Sequence, residues 1–310
     1  QGAIHFTLNE IYIQAGGESA NVRRRFSPEL NINVREKRDG LNGLALWQLS
    51  RMTSIAFLYG GTEYSYSDAE LLGTSIAEML DRREDFFDFV TYIQPGPRTR
   101  IFVDGQFGTY KFTSMEAGSR DARSYAVFGG IEFIPRAGEV VGGMGVHGGF
   151  RLGYQRLDLI ESGLADGSGF AGDADVTLDL TQRTSVHALF SRGFQFSIYS
   201  GATYYMSTTY GGGLAHRLSR RATLTYDVSF GRNAYEGDGG VEALRFRNSA
   251  HMFGLSLSLA RDLEMSFLGT LGRRTIGLDD LPRERNFFGL SLTYGHRAGG
   301  IASPIAGMAR

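Results

Sequence analysis

The amino-acid sequence predicts an all-β chain, a closed antiparallel transmembrane β-barrel, and three observations carry that prediction. The first is strict alternation: Ala222, Leu224, Tyr226, Val228 and Phe230 interleave with Thr223, Thr225, Asp227 and Ser229. A period of two puts the apolar set on one strand face and the polar set on the other. The second is that this pattern recurs along most of the chain with no long helical blocks between its instances. The third is that short and long breaks alternate between the strands. An apolar outside and a polar inside, repeated over many strands, fit a barrel in an outer membrane, where closure satisfies every backbone group.

Composition agrees. The chain has 310 residues, with 43 Gly, 22 Phe, 15 Tyr, 1 Trp and only 6 Pro. Glycine suits strands that curve or a lumen that needs space. Mean hydropathy is −0.18, and no apolar run approaches the ~18 residues of a membrane helix. A barrel needs none, because only alternate residues meet lipid. The formal net charge of −1 gives no bias toward nucleic acid or an acidic partner. There is no Cys, so disulfides and thiolate chemistry are excluded. No secretory leader is legible at Gln1, and the sequence reads as a mature form.

The clearest strands lie in the second half. In Gly143–Gln155, Met144, Val146, Phe150, Leu152 and Tyr154 share one face, and His147, Arg151 and Gln155 share the other with four glycines. In Asp173–Leu180, Ala174, Val176, Leu178 and Leu180 alternate with Asp173, Asp175, Thr177 and Asp179. Met265, Phe267 and Leu271 alternate with Glu264, Ser266 and Thr270. The last strand sets Phe288, Leu290, Leu292 and Tyr294 against Gly289, Ser291 and Thr293.

Short breaks are read at Ser27-Pro28, Ser50–Met52, Pro95-Gly96-Pro97, Pro135–Gly138, Thr181–Arg183, Arg217–Arg220 and Ala260–Asp262. A second set, mostly longer, falls at Gln14–Glu18, Arg38–Gly40, Ser67–Glu84, Ser114–Ser119, Glu161–Gly167, near Ser200, Glu236–Gly240 and Gly277–Pro282. The two sets interleave, as short periplasmic turns and longer outer loops do. The strands between breaks number about 16 (range about 14–18), an even count that returns both termini to the periplasmic side. Residues 1–296 form the barrel and 297–310 a flexible Gly/Ala-rich tail. Within Ser67–Glu84, Ile76-Ala77-Glu78-Met79-Leu80 reads as a short helix. Glu70 and Glu78 mark this segment as a candidate gating loop, against the plainer reading of a structured surface loop.

Motifs for chemistry are weak. Gly143-Met144-Gly145-Val146-His147-Gly148 has dinucleotide-fingerprint spacing, but the alternation runs straight through it and no helix opens on it. The six His show no metal-ligand spacing, so no metal site, catalytic residue or cofactor is assigned. His187 and Ser191 share a strand face about 13 Å apart, too far for a direct hydrogen bond. Carboxylates say more. Charges avoid lipid, at a cost of ~2–4 kcal/mol for Lys or Arg at the midplane, so those on polar faces belong to the lumen. The candidate lining is Asp104, Gln106, His147, Arg151, Gln155, Asp173, Asp175, Asp179, Asp227 and Glu264. The structural reading, ion pairs bracing the wall, and the functional one, a polar conduit, are compatible. Tyr205 and Phe102, aromatic on otherwise polar faces, are candidates for stacking on carbohydrate, whereas Tyr110, Tyr154, Tyr204, Tyr226, Phe230, Phe288 and Tyr294 read as interfacial girdle.

Thr184–Tyr294 resembles the Putative beta-barrel porin 2 family. The likeness lies in the strand Thr184–Arg192, Tyr204-Tyr205, the hairpin Ala215–Leu224, Arg245–Asn248 before Gly254-Leu255-Ser256-Leu257, and Arg273-Arg274 before an Asn286-led last strand. Arg120-Asp121 through Gly129–Pro135 is similar in kind, and together these cover about half the chain. Asn248 stands after Arg247 where the family favours Asp, and the chain runs on past Tyr294 where an assembly signal would close it. The resemblance implies an outer-membrane barrel serving polysaccharide secretion beside periplasmic export proteins, and no catalytic residues.

The expected function is a passive conduit or export component for polar solute, above all exopolysaccharide, in the bacterial outer membrane. Its expected partners are outer-membrane lipid and lipopolysaccharide, polysaccharide cargo and periplasmic export proteins, with no nucleic acid. The alternatives are an enzyme modifying lipid or lipopolysaccharide, and a plugged barrel that scaffolds other proteins.

Overall fold

A computed structural model describes residues 2–25, 33–67, 70–71, 74–113, 120–134, 145–160, 166–197, 203–235, 245–260, 262–276 and 282–294. Fifteen strands form one antiparallel sheet in chain order: β1 (Gly2–Leu8), β2 (Ile11–Arg25), β3 (Asn33–Gln48), β4 (Thr53–Ser67), β7 (Arg82–Gly96), β8 (Thr99–Phe112), β9 (Ala122–Phe133), β10 (Gly145–Leu159), β11 (Gly167–Asp179), β12 (Thr184–Phe196), β13 (Tyr204–Arg217), β14 (Ala222–Tyr235), β15 (Arg245–Ala260), β16 (Leu263–Ile276) and β17 (Pro282–Tyr294). Between β4 and β7 lie a two-stranded ribbon, β5 (Glu70–Leu71) and β6 (Thr74–Ser75), and the helix α1 (Ile76–Leu80). No helix among the described residues is long and apolar enough to cross a membrane, which says nothing of strands.

The strand count is 15, not 16, and the difference arises at the N-terminal end. Gln14–Glu18 and Arg38–Gly40 are not breaks. They lie inside β2 and β3, where Gly16 pairs with Asn42 and Glu18 with Gly40. The turn falls instead at Asn9–Glu10, with Asn9 at φ 52°, a left-handed conformation that asparagine tolerates. Ser27-Pro28 and Pro135–Gly138 lie outside the described residues.

The sheet is also not closed. Leu8 pairs with Ile11 and Tyr294 with Leu263, both at the short-turn end. The two edge strands therefore run in the same direction, and among the described residues they do not pair. An odd count makes antiparallel closure between them unavailable.

Alternation sorts the two faces. One face carries Ile4, Phe57, Phe89, Val103, Val127, Leu152, Phe170, Leu224, Phe267, Leu290 and Leu292, all large, apolar and exposed. A contiguous apolar surface this extensive marks contact with a membrane rather than water. The other face carries the polar partners and is concave. Phe196 on β12 meets Tyr110 and Phe112 on β8 with ring centroids 4.9 Å apart. In a flat sheet, strands four places apart would be separated by roughly 19 Å.

Candidate conduit lining and the occluded mouth

Each of the ten predicted lining residues falls on the concave face by register. Arg151 is the hub. Its Nη1 reaches Asp104 Oδ2 at 3.1 Å and its Nε donates to Asp173 Oδ1 at 2.6 Å. Its guanidinium also lies over the Phe128 ring, 4.6 Å from the centroid. Gln106 Nε2 donates to Asp104 Oδ2 at 2.9 Å, and Gln155 Nε2 to Ser124 Oγ at 3.2 Å. His147 Nδ1 stands 3.6 Å from Asp179 Oδ2. His187 Nε2 stands 3.0 Å from Asp227 Oδ1. Glu264 accepts from Ser266 Oγ at 3.4 Å. Asp175 is exposed, between Asp173 and Asp179 on the same face. The structure thus brings Asp104, Gln106, Arg151 and Asp173 into one network. It sets His147–Asp179 on the same two strands as Arg151 and Asp173 but nearer the short-turn end, and His187–Asp227 and Glu264 farther round the wall.

Sequence reasoning missed Asp88. It pairs with Gln106 across β7 and β8, and its Oδ1 is buried without a hydrogen-bond partner, as is Asp104 Oδ1. Beside Asp88 a cavity of about 620 Å³ is lined by Gln14, Asn42, Thr62, Asp88 and Gln106, with Leu44, Leu58 and Phe86. The signal was obscured because Phe86, Asp88, Val90 and Tyr92 share a face, so the inner side of β7 is not uniformly polar. The same holds lower down, where Ala56, Val90 and Phe102 form a buried apolar cluster with Leu44, Leu46, Leu58 and Tyr92. Phe102 therefore packs into the wall. Tyr205 is buried against Tyr235, with ring centroids 5.0 Å apart.

The long-connection end is narrowed from inside. Pairing of β11 with β12 stops at Gly172–Arg192, while β10–β11 continues to Leu157–Gly167 and β12–β13 to Phe196–Tyr204. Above that parting the β12–β13 hairpin folds inward. By alternation Phe194, Phe196 and Tyr204 belong to the outer face. Instead, Tyr204 is buried against Ala122, Leu157 and Leu159, with Phe194, Phe196 and Tyr110 packed around it. Gly167 makes this approach feasible, since a Cβ there would lie 2.8 Å from the Tyr204 ring and 2.9 Å from that of Phe194. Tyr204 is thus a mouth residue, not part of a girdle.

Arg120 locks the arrangement. Its Nη1 donates to the Ser197 carbonyl at 2.7 Å and to that of Met79, in α1, at 3.4 Å. The α1 helix lies where the sequence placed it, with Ile76 and Leu80 fully buried. Glu70 falls in β5 and Glu78 in α1, but their side chains lie outside the described residues, as does the tail 297–310.

Aspartates cap the strand ends at this rim. Asp81, Asp121 and Asp166 accept from the backbone N–H of Tyr66, Phe112 and Leu159, at 2.7, 2.7 and 3.1 Å. Burial raises the Asp81 carboxyl above its ordinary value, against the lowering effects of the Tyr66 N–H and Arg82. Of the fingerprint-like run, Gly143 and Met144 lie outside the described residues and the rest is strand. Gly145–Gly148 lies in β10, and Gly148 takes φ +100° with its Cα pressed toward the Asp175 carbonyl, where a side chain would collide. Among the described residues no group of three or more His, Cys, Asp or Glu is placed to hold a metal ion.

An apolar convex face, a polar concave face and one continuous antiparallel sheet define a porin-like outer-membrane β-barrel protein. The chain belongs to the family described as Putative beta-barrel porin 2, whose model matches residues 47–266. The match reaches well before Thr184 and ends before the last strand. In fold the chain is similar to the copper transporter OprC, with a TM-score of 0.50 and 13% identity over 94% of this chain and 57% of that one. It is also similar to the FrpB iron transporter from Neisseria meningitidis, with a TM-score of 0.50 and 11% identity over 90% of this chain and 52% of that one. The chain spans little more than half the length of these two proteins, and at such identity the likeness is one of fold alone. No protein with a curated description matches the sequence.

Proposed function

We propose that the concave face lines a conduit for polar solute, with carbohydrate polymer as the cargo its chemistry suits best. The carrying observation is that Asp88 and Gln106 line a cavity of ligand size, and that Asp88 and Asp104 each keep a buried carboxylate oxygen without a donor among the described residues. Carboxylate and amide groups accept from sugar hydroxyls, and a few shallow contacts of this kind orient a chain without trapping it. Charged cargo fits less well, since Arg151 already satisfies part of the acidic cluster. The family supports the porin part of this reading, and export of exopolysaccharide is its finer form.

The test is single-channel current across a planar bilayer, with a neutral glucose oligomer as the probe. Concentration-dependent blocking events are expected, and Asp88→Ala should shorten their dwell time about tenfold, equivalent to 1.4 kcal/mol. A conducting channel that the oligomer never blocks overturns the carbohydrate assignment.

The inward-folded β12–β13 hairpin favours a second reading, a plugged barrel that scaffolds partners. A folded protein that stays silent in the bilayer, both as it is and with the Arg120 lock removed, would support it. No observation favours a lipid-modifying enzyme: Asp227 stands beside His187, but Ser191 lies four residues farther along the same strand.

A further inference from the structure

On the outer face, at the long-connection end, one cross-strand row reads Arg192, Thr208, Arg232, Arg247, Thr275 from β12 to β16. Every side chain in it can donate a hydrogen bond and none is acidic. Arg232 and Arg247 are directly opposed, an arrangement of like charges that is unfavourable by itself. Arg273, diagonal to Arg247, adds a third cation. Arg232, Arg247 and Arg273 are exposed, and they make no hydrogen bond or ion pair among the described residues. Glu284 lies opposite Arg273 in register, yet no ion pair joins them. Arg192 is held upright by bonds to the Phe170 carbonyl and Thr208 Oγ1, both 2.9 Å.

Two residues nearer the membrane centre, the parallel row is Phe190, Tyr210, Phe230. Tyr210 and Phe230 stack with centroids 5.5 Å apart and are exposed. Among the described residues, cations without an acidic partner thus sit directly above an apolar aromatic shelf, on the surface that faces lipid. Cations at such a boundary need an anion, and arginine binds phosphate oxygens in pairs. A free ion would leave the shelf uncovered.

We propose that this face of β12–β16 binds a phosphate-bearing glycolipid of the outer leaflet, of the lipid A type. Its phosphates rest between Arg232 and Arg247, and its acyl chains lie along Phe190, Tyr210 and Phe230. This site is separate from the conduit, and a barrel that conducts nothing could still bind the lipid.

The experiment measures binding of fluorescent bisphosphorylated lipid A to the full chain in detergent, with folding checked by circular dichroism. Arg232→Gln with Arg247→Gln should weaken binding at least tenfold, and Arg220→Gln, at the short-turn end, should leave it unchanged. Thr208→Asp keeps both arginines and places an acid between Arg192 and Arg232. It should weaken binding similarly, which preserves the test if the double variant does not fold. Unchanged binding in the folded variants overturns the proposal. So does equal affinity for dephosphorylated lipid A, or displacement by inorganic phosphate at equal concentration, which would mark an anion site without a lipid.

Discussion

Arg120 Nη1 donates to the carbonyl of Ser197 at 2.7 Å, joining residues 77 positions apart in sequence and three strands apart in the sheet. The bond ties the start of β9 to the tip of β12 and holds the hairpin inside the mouth. Removing it frees the buried Ser197 carbonyl and the half-buried Met79 carbonyl as well as the tip. Arg120→Ala is expected to lower stability by about 2 kcal/mol, the scale of a charged hydrogen bond with a buried partner. Single-channel conductance should rise, because the tip no longer crosses the lumen. Conductance unchanged in a folded variant would mean that the hairpin does not restrict flow.

Arg151 lies between Asp104 and Asp173 and neutralises part of an acidic wall. Arg151→Gln should leave Asp104, which is 3% exposed, with its charge poorly compensated. The variant should lose about 1–3 kcal/mol of stability. Its reversal potential under a salt gradient should shift toward cation selectivity.

Gly213 sits between His187 and Asp227, facing both. A Cβ there would collide with Asp227 Oδ1 and His187 Cε1, and would lie 2.7 Å from the Tyr226 carbonyl, which is backbone and cannot swing aside. Gly213→Ala should therefore cost about 1–3 kcal/mol through overpacking, measured as a lower unfolding midpoint. Gly105 has nothing within 4 Å of an added Cβ, so Gly105→Ala should be close to neutral.

Asp81 gives a pH signature. Its carboxyl is raised by burial, so the folded rim binds a proton more readily than the unfolded chain. Its charged form costs stability above the raised value, and that cost vanishes as pH falls below about 4, the unfolded value. Asp81→Asn keeps an oxygen for the Tyr66 N–H and removes the charge. It should be as stable as the parent or more so at pH 7, with the difference shrinking toward pH 3. Equal differences at both values would contradict the assignment.

Much of the fold is legible in the chain. In the second half of the chain the alternation is clean, as in Ala222–Phe230, and there the register places the apolar and polar sets on opposite faces. The N-terminal strands were harder, because Gly16-Gly17 and Asp39-Gly40 look like turns yet run through the wall where it curves, while the true turn at Asn9–Glu10 lacks a glycine. Of the site, the Arg151 network follows from alternation, but Asp88 does not, since its face also carries Phe86 and Val90. The mouth was hidden for a different reason. Phe194, Phe196 and Tyr204 lie on the lipid face by parity, and only the parting of β11 from β12 above Gly172 turns them inward.

The most direct test of the two-faced wall uses the absence of native cysteine. Single cysteines placed in turn from Leu224 to Phe230 on β14, in the membrane-inserted protein, should react with a charged water-soluble thiol reagent at 225, 227 and 229. Probes attached at 224, 226 and 228 should instead be quenched by brominated lipid. Equal labelling at all positions, or quenching at 225, 227 and 229, would contradict it.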